Sequence, residues 1–306
     1  MILKDFIDEF LSYLSAVRGL SENTVIGYRN DLDHLQIFLT PQIEISSITK
    51  ENLLLCIGQL SKQKKAAASI NRFISAVRML FTFGYRYKYI SKNPALELKT
   101  VKLPKHIPNF MTQVEVDAIC HQPVEHELLW KNRDYAIMTM LYSSGCRISE
   151  ITNLTLDDFL DDYHSAIVTG KGNKQRRVYF AQESRKALKV YLEDRKQMLA
   201  NNGIQNPTRQ LFISQKGKPL SVNGLRFIIT KYSGEQGTKH HVNPHAFRHT
   251  FATTMIANGA DVRLVQEMLG HSSISTTQRY THVTTEKLID IYNKAHPHSD
   301  RTNDRK

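Results

Sequence analysis

Nowhere does the chain approach the ~20 consecutive apolar residues that a helix needs to cross a bilayer. Its opening residues mix Asp5, Asp8 and Glu9 with Phe6, Ile7 and Phe10, so a secretory leader is not expected. Cysteine is scarce. Cys56, Cys120 and Cys146 stand far apart with no Cys-x-x-Cys pair, which fits a reducing cytoplasm and argues against zinc held by thiolates. A His-Glu-x-x-His pair is missing, as is a Gly-Lys-Ser/Thr phosphate loop after a strand. Internal repeats are lacking too, and low-complexity sequence is confined to the polar tail after Pro297. These absences leave a cytoplasmic protein with no membrane span.

What is present points to a polyanionic partner. The 306 residues are 41% hydrophobic, enough for real cores in one large domain or two ordinary ones. Lys and Arg number 41 against 29 Asp and Glu, a formal charge of +12. That excess suits nucleic acid or an anionic surface, although a merely basic soluble protein would look the same by this measure.

Apolar periodicity predicts an almost purely helical first hundred residues. Ile2, Phe6, Ile7, Phe10, Leu11 and Leu14 form one stripe. Ser21 can cap a second helix carrying Val25, Tyr28, Leu32 and Leu35. Thr49 precedes Leu53, Leu54, Ile57 and Leu60, and a fourth helix over 65–87 buries Ile70, Phe73, Ile74, Val77, Leu80 and Phe81. Its other face offers Lys64, Lys65, Arg72, Arg78, Arg86 and Lys88. Asn93-Pro94 ends that helix. A basic linker over 99–110 then separates a helical domain, 1–98, from a mixed one, 111–306. Thr112 and Glu115 read as a capping box opening the second domain. Further helices are expected near 132–143, just after Gly145, and near 182–200, 221–231, 244–258, 261–269 and 284–293. Ser165–Thr169 and Arg177–Phe180 read as a hairpin, and Leu211–Ile213 as a third short strand. The fold class expected is mainly α with a small β-sheet.

Four segments carry candidate chemistry. Arg147 follows Gly145 at a helix start, with Glu150 one turn on and able to orient its guanidinium; such i,i+3 pairs are also commonplace on surfaces. The turn Gly170-Lys171-Gly172-Asn173-Lys174 can carry Lys171 into a groove, or be a solvated basic turn. Asn243-Pro244 is a good helix start that puts His245 and Arg248 on one face of the first turn. The crowd of His240, His241, His245 and His249 raises zinc, but no carboxylate partner stands nearby. Lastly, His271 emerges where Gly270 ends a helix bearing Val262, Val265 and Leu269, and Tyr280 lies nine residues on. Tyr280 alone would be one of 13 tyrosines, most of them packing residues.

In this order and spacing, the segments Gly-Cys-Arg-Ile-Ser-Glu, Gly-Lys-Gly-Asn-Lys, Pro-His-x-x-Arg-His and Leu-Gly-His-Ser-Ser-Ile-Ser-Thr-Thr-Gln-x-Tyr resemble the tyrosine recombinase (phage integrase) family, in particular its bacterial Xer branch. The resemblance covers nearly the whole chain and departs only mildly, with Cys146 and Phe247 where leucine is more usual. It implies a SAM-like, core-binding helical domain followed by an α+β catalytic domain. It further implies DNA strand cleavage and rejoining through a 3′-phosphotyrosyl intermediate, with no metal, ATP or other cofactor. Carried over by residue, Arg147 and Arg248 clamp the scissile phosphate, His271 adds a hydrogen bond, and Lys171 is the acid for the 5′-oxygen. His245 accepts the proton near the nucleophile Tyr280, and Glu150 supports. Lys64, Lys65, Arg72, Arg78, Arg86 and Lys174 are candidates for phosphate contacts in a clamp around the duplex.

The same resemblance implies four protomers on two double-stranded recombination sites, as a homo- or hetero-tetramer with a paralogous Xer recombinase. The segment Thr284–Tyr292 would dock on a neighbouring protomer. Chromosome dimer resolution, with a septal DNA translocase as a further partner, is the implied biology, and the C-terminal sequence looks more like the C-type Xer protein than the D-type. A start of the helical domain at residue 1 or 2 fits Xer better than integrases with an extra arm-binding domain. Three alternatives stay open: a type IB topoisomerase, a mobile-element integrase, and a DNA-binding regulator without catalysis.

Overall fold

Amphipathic periodicity becomes four helices in the first unit: α1 (Leu3–Ala16), α2 (Glu22–Leu39), α3 (Lys50–Lys62) and α4 (Ala67–Arg86). The computed structural model describes residues 1–103, 111–233, 242–270 and 285–299, and gives only the backbone course at 171 and 285–287. Two compact units make up the chain, Met1–Ile107 and Pro108–Lys306. In the first, the apolar stripes of the four helices meet in one core that includes Phe6, Phe10, Leu32, Leu35, Leu53, Phe73, Val77 and Phe81. Thr49 caps α3 through a reciprocal box with Asn52. Two details depart from the periodicity. On α3 the buried positions are Leu53, Cys56 and Leu60, while Leu54 is exposed. And α4 starts at Ala67 instead of residue 65, because Ala66 is its N-cap, with a backbone (φ −58°, ψ 142°) outside the helical region.

The second unit is built around α6 (Lys131–Ser144), whose side chains from Ala136 onward are all buried. Around it pack α5 (Gln113–Glu125), α8 (Gln182–Asn201) and α10 (Pro244–Ala257). The expected box is present at the start of α5: Thr112 Oγ1 accepts from Glu115 N at 3.3 Å, and Glu115 Oε2 accepts from Thr112 N at 2.9 Å. The short helix α7 (Ile148–Asn153) follows α6, and α9 (Val222–Tyr232), α11 (Val262–Leu269) and α12 (Thr285–Ala295) complete the helices of the described residues. On α11 the buried face is Val265, Met268 and Leu269, with Val262 exposed.

The sheet has three antiparallel strands in the order β1 (Phe159–Leu160), β2 (Ser165–Thr169) and β3 (Gln175–Tyr179). The hairpin of β2 and β3 is as expected, but the third strand is not Leu211–Ile213. Phe159 and Leu160 pair with Ala166 and Ser165 instead, after a turn in which Asp161, Asp162 and Tyr163 all have positive φ. Leu211, Phe212 and Ile213 are fully buried, which is what their composition signalled. Only single bridges flank them, Thr155 to Gln210 and Ile213 to Pro219, so the segment is buried like a core strand but forms no ladder. The chain is mainly helical with one small antiparallel sheet.

Candidate active site

The turn from α6 into α7 sets the site's first anchor. Gly145 ends α6 in the left-handed region (φ 59°), and a Cβ there would lie 2.5 Å from Phe251 Cδ1 and 2.9 Å from Leu269 Cδ2. Both conformation and space therefore demand glycine. Arg147 follows as the N-cap of α7. Glu150, one turn on, reaches back to accept from the Arg147 backbone N at 2.7 Å and from its Nη1 at 2.8 Å. The orienting contact expected from the i,i+3 spacing is thus made. The Arg147 side chain stays a third exposed, whereas Glu150 is buried.

Arg248 supplies the second anchor. Asn243 caps α10, its Oδ1 accepting from Ala246 N at 3.1 Å, and Pro244 occupies the first turn. Arg248 is then buried beneath Gly145, donating from Nη1 to the Gly145 carbonyl (2.8 Å) and from Nη2 to the Leu269 carbonyl (2.7 Å). Of its five N–H donors these bonds use two. Burial, and then the charges of Arg147 and Arg176, lower its pKa to about 10, which still leaves it a cation at neutral pH. Arg147 Nη2 also faces the carbonyl of Gly270, at 3.4 Å. The two guanidiniums accordingly meet at the end of α11, at the residue that precedes His271.

The third contribution is the β2–β3 hairpin. Its root, Gly170, lies against the pair just described: a Cβ there would be 3.2 Å from Glu150 Oε1 and 3.7 Å from Arg147 Nη1. Lys171 is the next residue of this turn, and Lys174 is exposed on it, its carbonyl accepting from Gly170 N at 2.8 Å. His245 is exposed on the first turn of α10. His271 and Tyr280 lie outside the described residues.

One residue of this cluster was not singled out by sequence reasoning. Arg176, on β3, donates from Nη1 to Glu150 Oε1 (2.7 Å), from Nη2 to Glu150 Oε2 (2.8 Å) and from Nε to the Met268 carbonyl (2.9 Å). Its side chain is only 12% exposed. Burial alone would raise the pKa of Glu150, but the bonds from Arg176 and the Arg147 backbone outweigh it and hold the carboxyl below its ordinary value. A signal for Arg176 did exist: two residues before the buried Val178, it shares that face of β3, and an arginine on an inward strand face needs a partner.

The candidate DNA-contacting cations of the first unit divide into two groups. Lys64, Lys65 and Arg86 are exposed. Arg72 forms a two-pronged pair with Asp31, at 2.8 and 3.0 Å, and Arg78 donates to the carbonyl of Leu98, so both tie α4 to the rest of their unit. Among the described residues no group of three or more His, Cys, Asp and Glu is arranged to hold a metal ion, and no helix is long and apolar enough to cross a membrane.

Known proteins resemble the chain along nearly its whole length. The model of the phage integrase family matches residues 109–287, and that of the phage integrase N-terminal SAM-like domain matches residues 7–88. A tyrosine recombinase XerC of Treponema denticola is 38% identical, covering 97% of this chain and 100% of that protein. A tyrosine recombinase XerD of Staphylococcus haemolyticus is 36% identical, covering 96% and 99%. Among solved structures, a lambda integrase tetramer bound to a Holliday junction superposes with a TM-score of 0.70 at 17% identity, over 90% of this chain and 76% of that one, which is a likeness of fold. With so much of its length matched, the chain belongs to the phage integrase family and is a tyrosine-type site-specific recombinase, an enzyme that catalyses DNA strand exchange.

Proposed function

We propose that the chain cuts and rejoins DNA by in-line transesterification, with Tyr280 as nucleophile, and that its cellular task is chromosome dimer resolution. The Tyr280 phenol oxygen forms a bond to the scissile phosphorus as the bond to the 5′-oxygen breaks, leaving a 3′-phosphotyrosyl link. A phenol with a pKa of ~10 is mostly protonated at neutral pH, so its proton passes to His245, and Lys171 delivers one to the departing 5′-oxygen. Arg147, Arg248 and His271 hold the non-bridging oxygens, where negative charge grows. Glu150 keeps the Arg147 fork oriented. The phosphodiester is conserved throughout, so neither ATP nor metal is needed.

The observation that carries this reading is the meeting of Arg147, Arg248 and the root of the Lys171 turn, contributed by segments far apart in the chain. A planar, two-pronged cation matches a phosphate better than an ammonium does, and two of them face the same helix end. The helical domain, 1–98, with the linker 99–110, closes around the duplex, the exposed Lys64, Lys65 and Arg86 giving phosphate contacts, while Lys174 adds one from the β2–β3 turn. Four protomers assemble on two sites, as in the lambda integrase tetramer on a Holliday junction, and a paralogous recombinase and a septal DNA translocase are the expected partners. The relatives bear both the XerC and the XerD name, which is the support for the Xer task and leaves both types in play. Helix α12 would couple protomers; in the single chain its Tyr292 is buried and its hydroxyl donates to the Ser143 carbonyl at 2.9 Å.

The test is a trapping reaction in EDTA. Duplexes carrying candidate genomic sites, nicked beside the cleavage point, let the short 5′ fragment leave and strand the covalent complex. A denaturation-resistant protein–DNA species, lost in Tyr280→Phe, is expected. Its failure to form on every site, with and without a paralogous recombinase, would make the chain a binding protein without catalysis.

A further inference from the structure

We propose that Arg176 is a positioning residue for strand cleavage: by occupying both oxygens of the buried Glu150 carboxylate, it keeps the charge of Arg147 available to the scissile phosphate. The inference rests on Arg147 being a phosphate clamp, as proposed above. The geometry of Glu150 carries it. A buried carboxylate beside a single guanidinium makes a neutral pair, and a neutral pair is a poor anion site. Glu150 stands between two guanidiniums, and Arg176 takes the larger share, with two bonds of 2.7 and 2.8 Å to separate oxygens against one side-chain bond of 2.8 Å from Arg147. With Arg176 in place, two guanidinium charges share one carboxylate. Without it, the unshielded carboxylate pulls on Arg147 and cancels its field.

Exposure sorts the two arginines by task. Arg176 is 12% exposed and has its remaining described contact, from Nε, on the Met268 carbonyl, so it stays inside the protein. Arg147 is 33% exposed at the same carboxylate and faces outward. Arg176 also joins three parts of the site at once. It sits on the strand that follows the Lys171 turn, it holds Glu150 and hence α7, and it braces the end of α11. A Cβ on Gly270 would come within 3.1 Å of Arg176 Cδ, so the guanidinium stem lies directly beneath the residue that leads to His271. Removing the partner that orients a metal ligand typically costs on the order of 10- to 100-fold in activity, and the same order is expected for a partner that orients a phosphate-binding guanidinium.

The experiment measures single-turnover cleavage and DNA affinity separately, on the nicked duplex that first yields the covalent complex. Arg176→Met is expected to slow cleavage at saturating DNA on the order of 10- to 100-fold while leaving the dissociation constant within about threefold. Arg176→Lys, which keeps the charge but loses the fork, should fall between. The decisive variant is Arg176→Met with Glu150→Gln: removing the carboxylate together with its shield should restore cleavage to within about fivefold of the parent. Melting temperatures identify variants that remain folded at the assay temperature. A folded Arg176→Met enzyme that melts earlier but cleaves at the parental rate would show a purely structural residue and overturn the proposal. So would a double variant slower than either single one. Arg147→Ala separates the two readings: if it cleaves normally, the phosphate-clamp reading itself is wrong, whereas its loss alongside normal Arg176 variants defeats the positioning role alone.

Discussion

Arg78 apart, the candidate cations of the first unit and the arginines clustered in the second are held by opposite means. On the first, Lys64, Lys65 and Arg86 stand in solvent, and even Arg72, held by Asp31, keeps 66% of its side chain exposed. In the second, Arg248 and Arg176 are almost wholly withdrawn from water and are supported by backbone carbonyls or Glu150. An exposed cation contributes a screened, diffuse attraction to any polyanion and tolerates replacement. A buried one has lost its hydration, so its surroundings must replace those hydrogen bonds in a fixed geometry, and that geometry is what a transition state can use. Charge that recruits and charge that reacts should therefore fail differently when removed.

The largest difference is expected at Arg248. Arg248→Ala should lower single-turnover cleavage on the order of 100- to 1,000-fold. Arg248→Lys should not rescue it, since one ammonium cannot span the Gly145 and Leu269 carbonyls and also meet a phosphate. A lysine variant within tenfold of the parent would erase the distinction between the units. Next comes Glu150→Ala, which leaves Arg147 and the buried Arg176 without their shared partner; urea unfolding should show a loss of about 3 kcal/mol. An unchanged unfolding midpoint would mean that the cluster is not electrostatically coupled.

A smaller, pH-dependent effect is expected where charge is only partly buried. His298, just past α12, donates to Glu183 of α8 and lies 3.2 Å from Asp117 of α5, with Gln113 and His121 of α5, Tyr142 of α6 and the buried His296 around it. The bond to Glu183 raises the His298 pKa above 6.5, burial opposing it. The bond from His298 lowers Glu183 to about 2, again against burial. A raised histidine stabilises below its unfolded value and loses that contribution as pH climbs through the folded one. A lowered carboxyl does so above its unfolded value and loses it as pH falls. Between pH 4.5 and 6.5, the ordinary values of the two groups, the pair is intact. The melting-temperature gap between the parent and His298→Ala should thus be widest at about pH 5–6 and shrink above pH ~7. Taking the gap at each pH limits the contribution of His296, which burial lowers to about 3 and which titrates in the opposite sense. A gap that widens toward alkaline pH would refute the pairing.

The smallest effects belong to the exposed cations. Lys65→Ala and Arg86→Ala should each flatten the salt dependence of DNA binding by about one unit of slope and leave melting unchanged. A clear loss of stability from either would place these residues with the supported charges of the second unit.

Much of this was legible in the chain itself. The stripe of Phe6, Ile7, Phe10, Leu11 and Leu14, the Thr112–Glu115 box and the Arg147–Glu150 pair are local, and local spacing maps directly onto helix faces and caps, although the stripe opens at Leu3 and not at the expected Ile2, which stands before the helix. The order of the four motifs then pointed to the family. Arg176 escaped because its partners, Glu150 and the Met268 carbonyl, are brought to it only by the folded chain. Arg78 escaped for a similar reason: nothing near it in sequence shows that the Leu98 carbonyl will take up its guanidinium. Leu211–Ile213 misled because apolar composition reports burial, and a strand also needs a neighbour to pair with.

By itself, then, the sequence determined which segments are helical, most of their apolar faces, and the family to which the chain belongs. Those properties depend on residues within a turn or two of each other. Only the tertiary structure decided which cations are taken out of water and which carboxylate they share. Desolvation and pairing depend on groups that meet in space, and the local Arg147–Glu150 pair meets Arg176 and Arg248 only after α7, β3, α10 and α11 have packed together.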